Sequence, residues 1–192
     1  MSLKVYFDFN CPYSYRFRKW FDLADLGIDV DWCGFLLAQT RERRPGWRVF
    51  DHADENPSGL AALAAHFWLS EQDPLHADVF HRATLVARHE QELDVDDPDV
   101  LCKIAADHGI DADAMRAQMT DRKVVRDVAA IHEDAVMAHG TSGTPTLVGP
   151  DGQTLYVRLG APPEDEPTAQ RVVQQVLDIA LAEPWIRELR RT

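Results

Sequence analysis

The sequence is poor in cysteine, poor in positive charge and without a long apolar run. No apolar stretch approaches the ~18 residues that a membrane-spanning helix needs, so that class is excluded. The first residues show no basic segment followed by an apolar one, so no secretory leader is expected. Three cysteines, Cys11, Cys33 and Cys102, are too few and too scattered for a disulfide framework or a zinc site. An odd thiol count without an export signal reads as a cytoplasmic protein with reduced cysteines. Lysine and arginine total 20 against 32 acidic residues, and the net charge of −12 repels nucleic acid and anionic membranes. With 10 glycines and 11 prolines in 192 residues, collagen-like and low-complexity readings also fall away. What is present, 45% hydrophobic residues, suffices for one domain, or one domain carrying an insertion.

The hydrophobic period changes along the chain in a definite order. Lys4–Asn10, with Val5, Tyr6, Phe7 and Phe9, reads as a strand. Tyr13, Phe17, Trp20, Phe21 and Ala24 then follow helical spacing, with Gly27 expected as a left-handed C-cap. Ile28–Leu37 reads as a second strand, apolar enough after Asp31 to be central. These three elements form a βαβ unit, whose crossover is expected to be right-handed. Gln39 to Asn56 reads as loop. Five helices are expected next: one from Pro57-Ser58, one opening at each of Asp73-Pro74, Asp97-Pro98 and Asp111, and one over Lys123–His139. After Gly140 strands return as Thr146–Val148 and Thr154–Leu159 around the turn Pro150-Asp151-Gly152. Asp165–Ala182 is a closing helix, ended by Pro184. The order is βαβ, a helical block, then ββα, an α/β protein with an all-helical insertion.

The chemistry concentrates in Cys11-Pro12-Tyr13-Ser14, at the joint between the first strand and the first helix. A thiol there meets unpaired backbone N–H groups and the positive end of the helix dipole, which favour thiolate. Pro12 suits the first helical turn, where its missing N–H costs nothing. Ser14 lies three residues on, on the same side as Cys11, and can donate a hydrogen bond to the sulfur but cannot form a disulfide. The competing reading makes Cys11 a small buried hydrophobe. A second segment, Gly143-Thr144-Pro145-Thr146, precedes a strand, where a proline is either a tolerated first residue or a cis turn toward a site.

These two segments together resemble the DsbA-type proteins of the thioredoxin fold, in which a helical domain is inserted between the two halves. The resemblance covers essentially the whole chain and rests on Val5–Tyr15 and Gly143–Val148. It implies residues 1–38 and 140–192 as the thioredoxin-like domain and 39–139 as the insertion. It implies that Cys11 is the nucleophile and Pro145 a cis proline beside it. It further implies that the Thr144 backbone, with Pro12 and Tyr13 nearby, receives an incoming thiol or peptide.

Two departures from the family pattern matter. The oxidoreductases usually carry C-x-x-C, and here Ser14 replaces the second cysteine. The 2-hydroxychromene-2-carboxylate isomerases and kappa-class glutathione transferases carry Ser-Pro-Tyr-Ser-Tyr or a close variant, which this motif matches except at Cys11. Those branches also tend to have an Asp-Arg pair after the last strand. Leu159–Asp165 lacks it, leaving Glu164 or Asp165 as substitutes. Gly160-Ala161-Pro162 is closer to the Gly-Pro of some DsbA-like reductases that use another low-mass thiol.

Three functions therefore stay open. One is a cytoplasmic thiol–disulfide oxidoreductase acting through Cys11 with an external thiol, glutathione or mycothiol-like, on small disulfides or protein disulfides. A second is a thiol-dependent transferase or isomerase in which Cys11 and Ser14 hold a cofactor's sulfur. A third is a redox-inactive binding module. Cys33 and Cys102 read as structural. Arg41, Arg43 and Arg44 read as a solvated cluster or as contacts for an anionic ligand, and Arg18 as a surface residue or a source of positive potential. Eight histidines, without a clean i, i+4 pair, give no metal site. Asp94, Asp96, Asp97 and Asp99 read as a helix-capping region.

Overall fold

Tyr6 and Phe7 are both fully buried, although consecutive strand residues point to opposite faces. The strand that carries them is thus covered on both sides. In the computed structural model, which describes residues 3–183, 185, 186, 188 and 189, this strand is β1 (Leu3–Phe7). It is followed by α1 (Pro12–Ala24), β2 (Val30–Gly34) and α2 (Leu37–Arg41), then a 3₁₀ helix (Val49–Glu55) and α3 (Leu60–Gln72). Next come α4 (Pro74–His89), α5 (Pro98–Asp107), α6 (Ala112–Gln118) and α7 (Arg122–His139). The chain closes with β3 (Thr146–Val148), β4 (Thr154–Val157), α8 (Glu166–Ala182) and β5 (Glu188–Leu189). One sheet holds all five strands in the order β2-β1-β3-β4-β5. β3 runs antiparallel to β1, with Tyr6 opposite Thr146, and antiparallel to β4.

The chain divides into two compact units. One contains Met1–Phe7, Cys11–Cys33 and Asp134–Thr192, and the other Asp8–Asn10 and Gly34–Glu133. In the first unit, Leu3 and Val5 of β1, Leu147, Leu155 and Val157 meet Phe17, Trp20 and Ala24 of α1. Ala169, Val173, Val176, Leu177 and Ala180, one face of α8 at helical spacing, complete this core. The Trp20 indole donates to the Gly160 carbonyl at 3.0 Å, which ties the segment after β4 to α1.

In the second unit, α3 buries Leu60–Ala65 without interruption, as suits a helix surrounded by others. It packs against α4, α5, α6 and the 3₁₀ helix. The aspartates before the helices act as caps: Asp73 accepts from the N–H groups of Leu75 and His76, Asp97 from Asp99, and Asp111 from Ala114. Gly59 caps α3 with φ +85, and a Cβ there would lie 3.3 Å from Leu36 Cδ1. Glycine meets both the conformation and the space.

Several sequence expectations change. β2 is an edge strand rather than a central one, and its burial is only partial. The β1 strand ends before Asp8, because the Asp8 carboxylate captures the Asn10 N–H at 2.7 Å and turns the chain. The segment 39–56 is not plain loop: it holds most of α2 and the 3₁₀ helix, both too short to show a period. The α1 C-cap is Asp25 at φ 40, two residues before Gly27. α3 starts at Leu60, with Pro57 and Ser58 ahead of it. Pro184, expected to end α8, lies outside the described residues.

Candidate functional site

Antiparallel pairing of β3 with β1 explains why residues 133 positions apart in the chain meet. It puts the segment entering β3 beside the segment leaving β1. Cys11 is the N-cap of α1, with φ −90 and ψ 115, and Pro12 occupies the first helical turn. The Cys11 carbonyl accepts the first helical bond, from Tyr15 N at 3.2 Å. Its side chain makes no capping bond, which leaves the sulfur to face β3. The Cys11 thiol donates to the Thr144 carbonyl at 3.2 Å, and the Thr144–Pro145 peptide bond is cis. A thiolate has no proton to donate, so this bond must open when the sulfur acts as a nucleophile. Cys11 is 5% exposed, so a reacting partner meets it at one small window.

The loop around Pro145 is held from three sides. The Thr146 hydroxyl donates to the Gly143 carbonyl at 2.8 Å. Val157 N donates to the Pro145 carbonyl at 3.1 Å. The Tyr156 ring lies so close to Gly143 that a Cβ there would be 3.3 Å from the phenol. The Thr144 hydroxyl is buried and has no hydrogen-bond partner among the described residues. Ser14 is buried in the first turn of α1, Pro12 is exposed and Tyr13 is half-buried.

Two residues not anticipated from the sequence join this group. The guanidinium of Arg158 stands 5.1 Å from the Tyr13 ring and 5.1 Å from the Tyr156 ring, and its Nε donates to the Tyr156 hydroxyl at 2.8 Å. Arg16 approaches the Tyr13 ring at 5.5 Å. The available signal was alternation: Tyr156 and Arg158 are two apart at the end of β4, on the face opposite Leu155 and Val157.

Other sequence candidates have structural roles. Arg18 is buried, pairs with Asp22 at 2.9 Å and lies 4.8 Å from the Trp32 ring, so it is no surface residue. Asp165 caps α8 by accepting from Thr168 N at 2.9 Å, which pulls its carboxyl down and removes it as a substitute for the missing Asp-Arg pair. Arg44 forks onto Glu42 and covers the Trp47 ring at 3.7 Å, while Arg41 and Arg43 are exposed. All three belong to the second unit. Asp96, read as a capping residue, does more: it accepts from Gly59 N at 2.7 Å and from the Asn10 amide at 3.0 Å. Burial beside Asp31 pushes the Cys33 thiol up to about 12. Burial also raises that of Cys102, which donates to the Ala112 carbonyl at 3.6 Å. All three cysteines are free. Among the described residues, no three His, Cys, Asp or Glu side chains gather as a metal site requires, and no helix is long and apolar enough to cross a membrane.

Residues 2–167 match the family model of the DSBA-like thioredoxin domain. The chain belongs to this family. Its fold is the thioredoxin-like fold with a helical insertion, and the family is one of thiol oxidoreductases. An uncharacterised protein of Mycobacterium tuberculosis, Rv2286c, is 29% identical over 99% of this chain and 81% of its own length. Among solved structures, the chain is similar to the probable DsbA oxidoreductase SCO1869 of Streptomyces coelicolor (TM-score 0.63, 16% identity), covering 92% of this chain and 90% of the other. It is similar also to the cytosolic disulfide reductase DsbM of Pseudomonas aeruginosa, solved with GSH (TM-score 0.62, 17% identity), covering 92% and 99%. At these identities the structural likeness speaks to the fold alone.

Proposed function

We propose that the protein is a cytosolic thiol–disulfide oxidoreductase that works through one nucleophile, Cys11, with a low-mass thiol as co-substrate. The observation that carries this reading is the Cys11 sulfur at the N-cap of α1, 3.2 Å from the carbonyl that precedes the cis proline. The Cys11 thiolate attacks one sulfur of a disulfide, forming a mixed disulfide and releasing the other half as thiolate. Ser14 stands where a resolving cysteine would be, so a thiolate from solution attacks the mixed disulfide and frees Cys11 again. Electrons balance, since one disulfide is consumed and one formed. Cys33, with its thiol pushed up to about 12, is a poor resolving group. The neighbour DsbM, named as cytosolic and solved with GSH, supports both the compartment and a small thiol partner.

Incubation with glutathione disulfide tests the reading. The intact mass is expected to rise by one half-disulfide per chain, and Cys11→Ser is expected to show no such adduct. An unmodified Cys11 at neutral pH refutes it.

Ser14, buried in the first helical turn, favours a second reading as a thiol-dependent transferase or isomerase. The engagement of Asp165 as the α8 cap weighs against it. Turnover of an electrophile with reduced glutathione, without disulfide consumption, would establish the second reading in place of the first.

A further inference from the structure

Two guanidinium groups converge on one tyrosine ring beside the nucleophile. Tyr13 is two residues from Cys11, and its ring has Arg16 at 5.5 Å and Arg158 at 5.1 Å. The two arginines come from separate elements, α1 and the end of β4. Arg158 is fixed by its Nε bond to the Tyr156 hydroxyl, and the Tyr156 ring is itself seated on Gly143, one residue before Thr144. Cation, ring and glycine thus form a continuous contact from the exposed Arg158 to the loop that receives the Cys11 thiol. In a chain of net charge −12, a pair of cations placed beside the reacting sulfur is a local reversal of sign.

We propose that Arg158 and Arg16 bind a carboxylate of the disulfide that reacts with Cys11. Its substrate class is then a carboxylate-bearing low-mass disulfide, such as that of a peptide thiol, rather than an uncharged sugar-linked one. This rests on the thiol–disulfide reading above. Arginine suits the role because its planar fork meets a carboxylate with two parallel hydrogen bonds. The Tyr13 ring holds both forks without neutralising them, since a cation–π contact leaves the N–H edges able to donate.

The test measures the rate of mixed-disulfide formation at Cys11 with three small disulfides that differ in charge. They are the anionic dithiodipropionate, the neutral hydroxyethyl disulfide and the cationic cystamine, each rate divided by that of free mercaptoethanol with the same probe. The wild-type protein is expected to prefer the anionic probe over the neutral one by about five- to tenfold, against the sign of its net charge. That preference is expected to fade in about 0.5 M salt. In Arg158→Gln with Arg16→Gln, the anionic-to-neutral ratio is expected to fall to about one. Lys19→Gln, which changes charge on the same helix away from Tyr13, is expected to keep the ratio. A wild-type ratio of one or less overturns the carboxylate inference, and so does a ratio that the arginine variants leave unchanged or that Lys19→Gln lowers equally. If none of the three probes gives an adduct at Cys11, the thiol–disulfide reading itself falls, and the inference with it.

Discussion

Acidification pulls on two buried groups with opposite sign, and both hold the same two amides. The His132 Nδ1 accepts from Leu36 N at 3.2 Å, and the Asp8 Oδ2 accepts from Leu37 N at 2.8 Å. These are consecutive N–H groups at the start of α2, which no helical carbonyl can reach. Burial lowers His132 from 6.5 to about 4 and raises Asp8 from 3.8 to about 6. Each displacement corresponds to about 3 kcal/mol, taking ~1.4 kcal/mol for every tenfold change in proton affinity. The folded protein keeps His132 neutral where the unfolded chain would protonate it, so His132 contributes stability above pH 6.5 that is lost as the pH falls toward about 4. The folded protein takes up a proton at Asp8 where the unfolded chain does not, so Asp8 adds stability as the pH falls from about 6 to 3.8. The two contributions largely cancel in the wild type.

Removing one group exposes the other. Asp8→Asn and His132→Asn are compared with the wild type by urea unfolding followed by far-ultraviolet circular dichroism, between about pH 7.5 and about pH 4. The difference from the wild type removes the titration of all other carboxylates, provided they are unperturbed by the substitution. The stability of His132→Asn relative to wild type is expected to rise by up to about 3 kcal/mol on acidification. That of Asp8→Asn is expected to fall by a similar amount over the same range. At pH 7 both variants are destabilised, because His132 also packs on Phe35 at 4.3 Å, and one Asn oxygen cannot replace two carboxylate acceptors. The slopes decide the matter. Differences that stay within about 0.5 kcal/mol across the range, or that run in the same direction for both variants, refute the assignment.

Further outcomes follow from single residues. Iodoacetamide at about pH 8 is expected to spare Cys33 in the native protein, since a thiol pushed up to about 12 holds roughly one thiolate in ten thousand there; peptide mapping checks this, and ready native-state labelling of Cys33 contradicts it. Thr144→Val is expected to raise stability by about 1 kcal/mol, because it removes a buried hydroxyl without a partner among the described residues; a loss in urea unfolding would contradict this. Gly59→Ala is expected to cost about 1–2 kcal/mol in the same assay, from φ +85 and the Leu36 methyl in the way. Asp165→Ala is expected to cost about 1 kcal/mol as a lost cap and to leave the Cys11 exchange rate unchanged; slower exchange would return Asp165 to the site.

The regular elements were legible because each repeats a period or carries a punctuation residue. α8 aligns Ala169, Val173, Val176 and Ala180 on one face, and Asp-Pro marks where α4 and α5 begin. The nucleophile was legible for a related reason, since a cysteine before proline at a strand-to-helix joint is defined by local order alone. What stayed hidden depends on the third dimension. Arg158 looks like any charged residue at a strand end until the β3–β4 pairing brings Tyr156 against Gly143. Asp8 reads as one more polar residue in a strand, yet its two oxygens take amides from residues 10 and 37. His132 sits on a face of α7 that its period marks as apolar, and no period distinguishes a packed ring from one that accepts a backbone proton. The placement of β2 failed for the opposite reason: an apolar run reports how much of a strand is covered, and an edge strand covered on its faces by Phe7, Phe17 and Phe21, all around Trp32, gives the same run as a central one. Sequence order therefore identifies the atom that reacts, whereas the residues that choose its partner are set by strand pairing, and only a rate measured against the charge of that partner can reveal them.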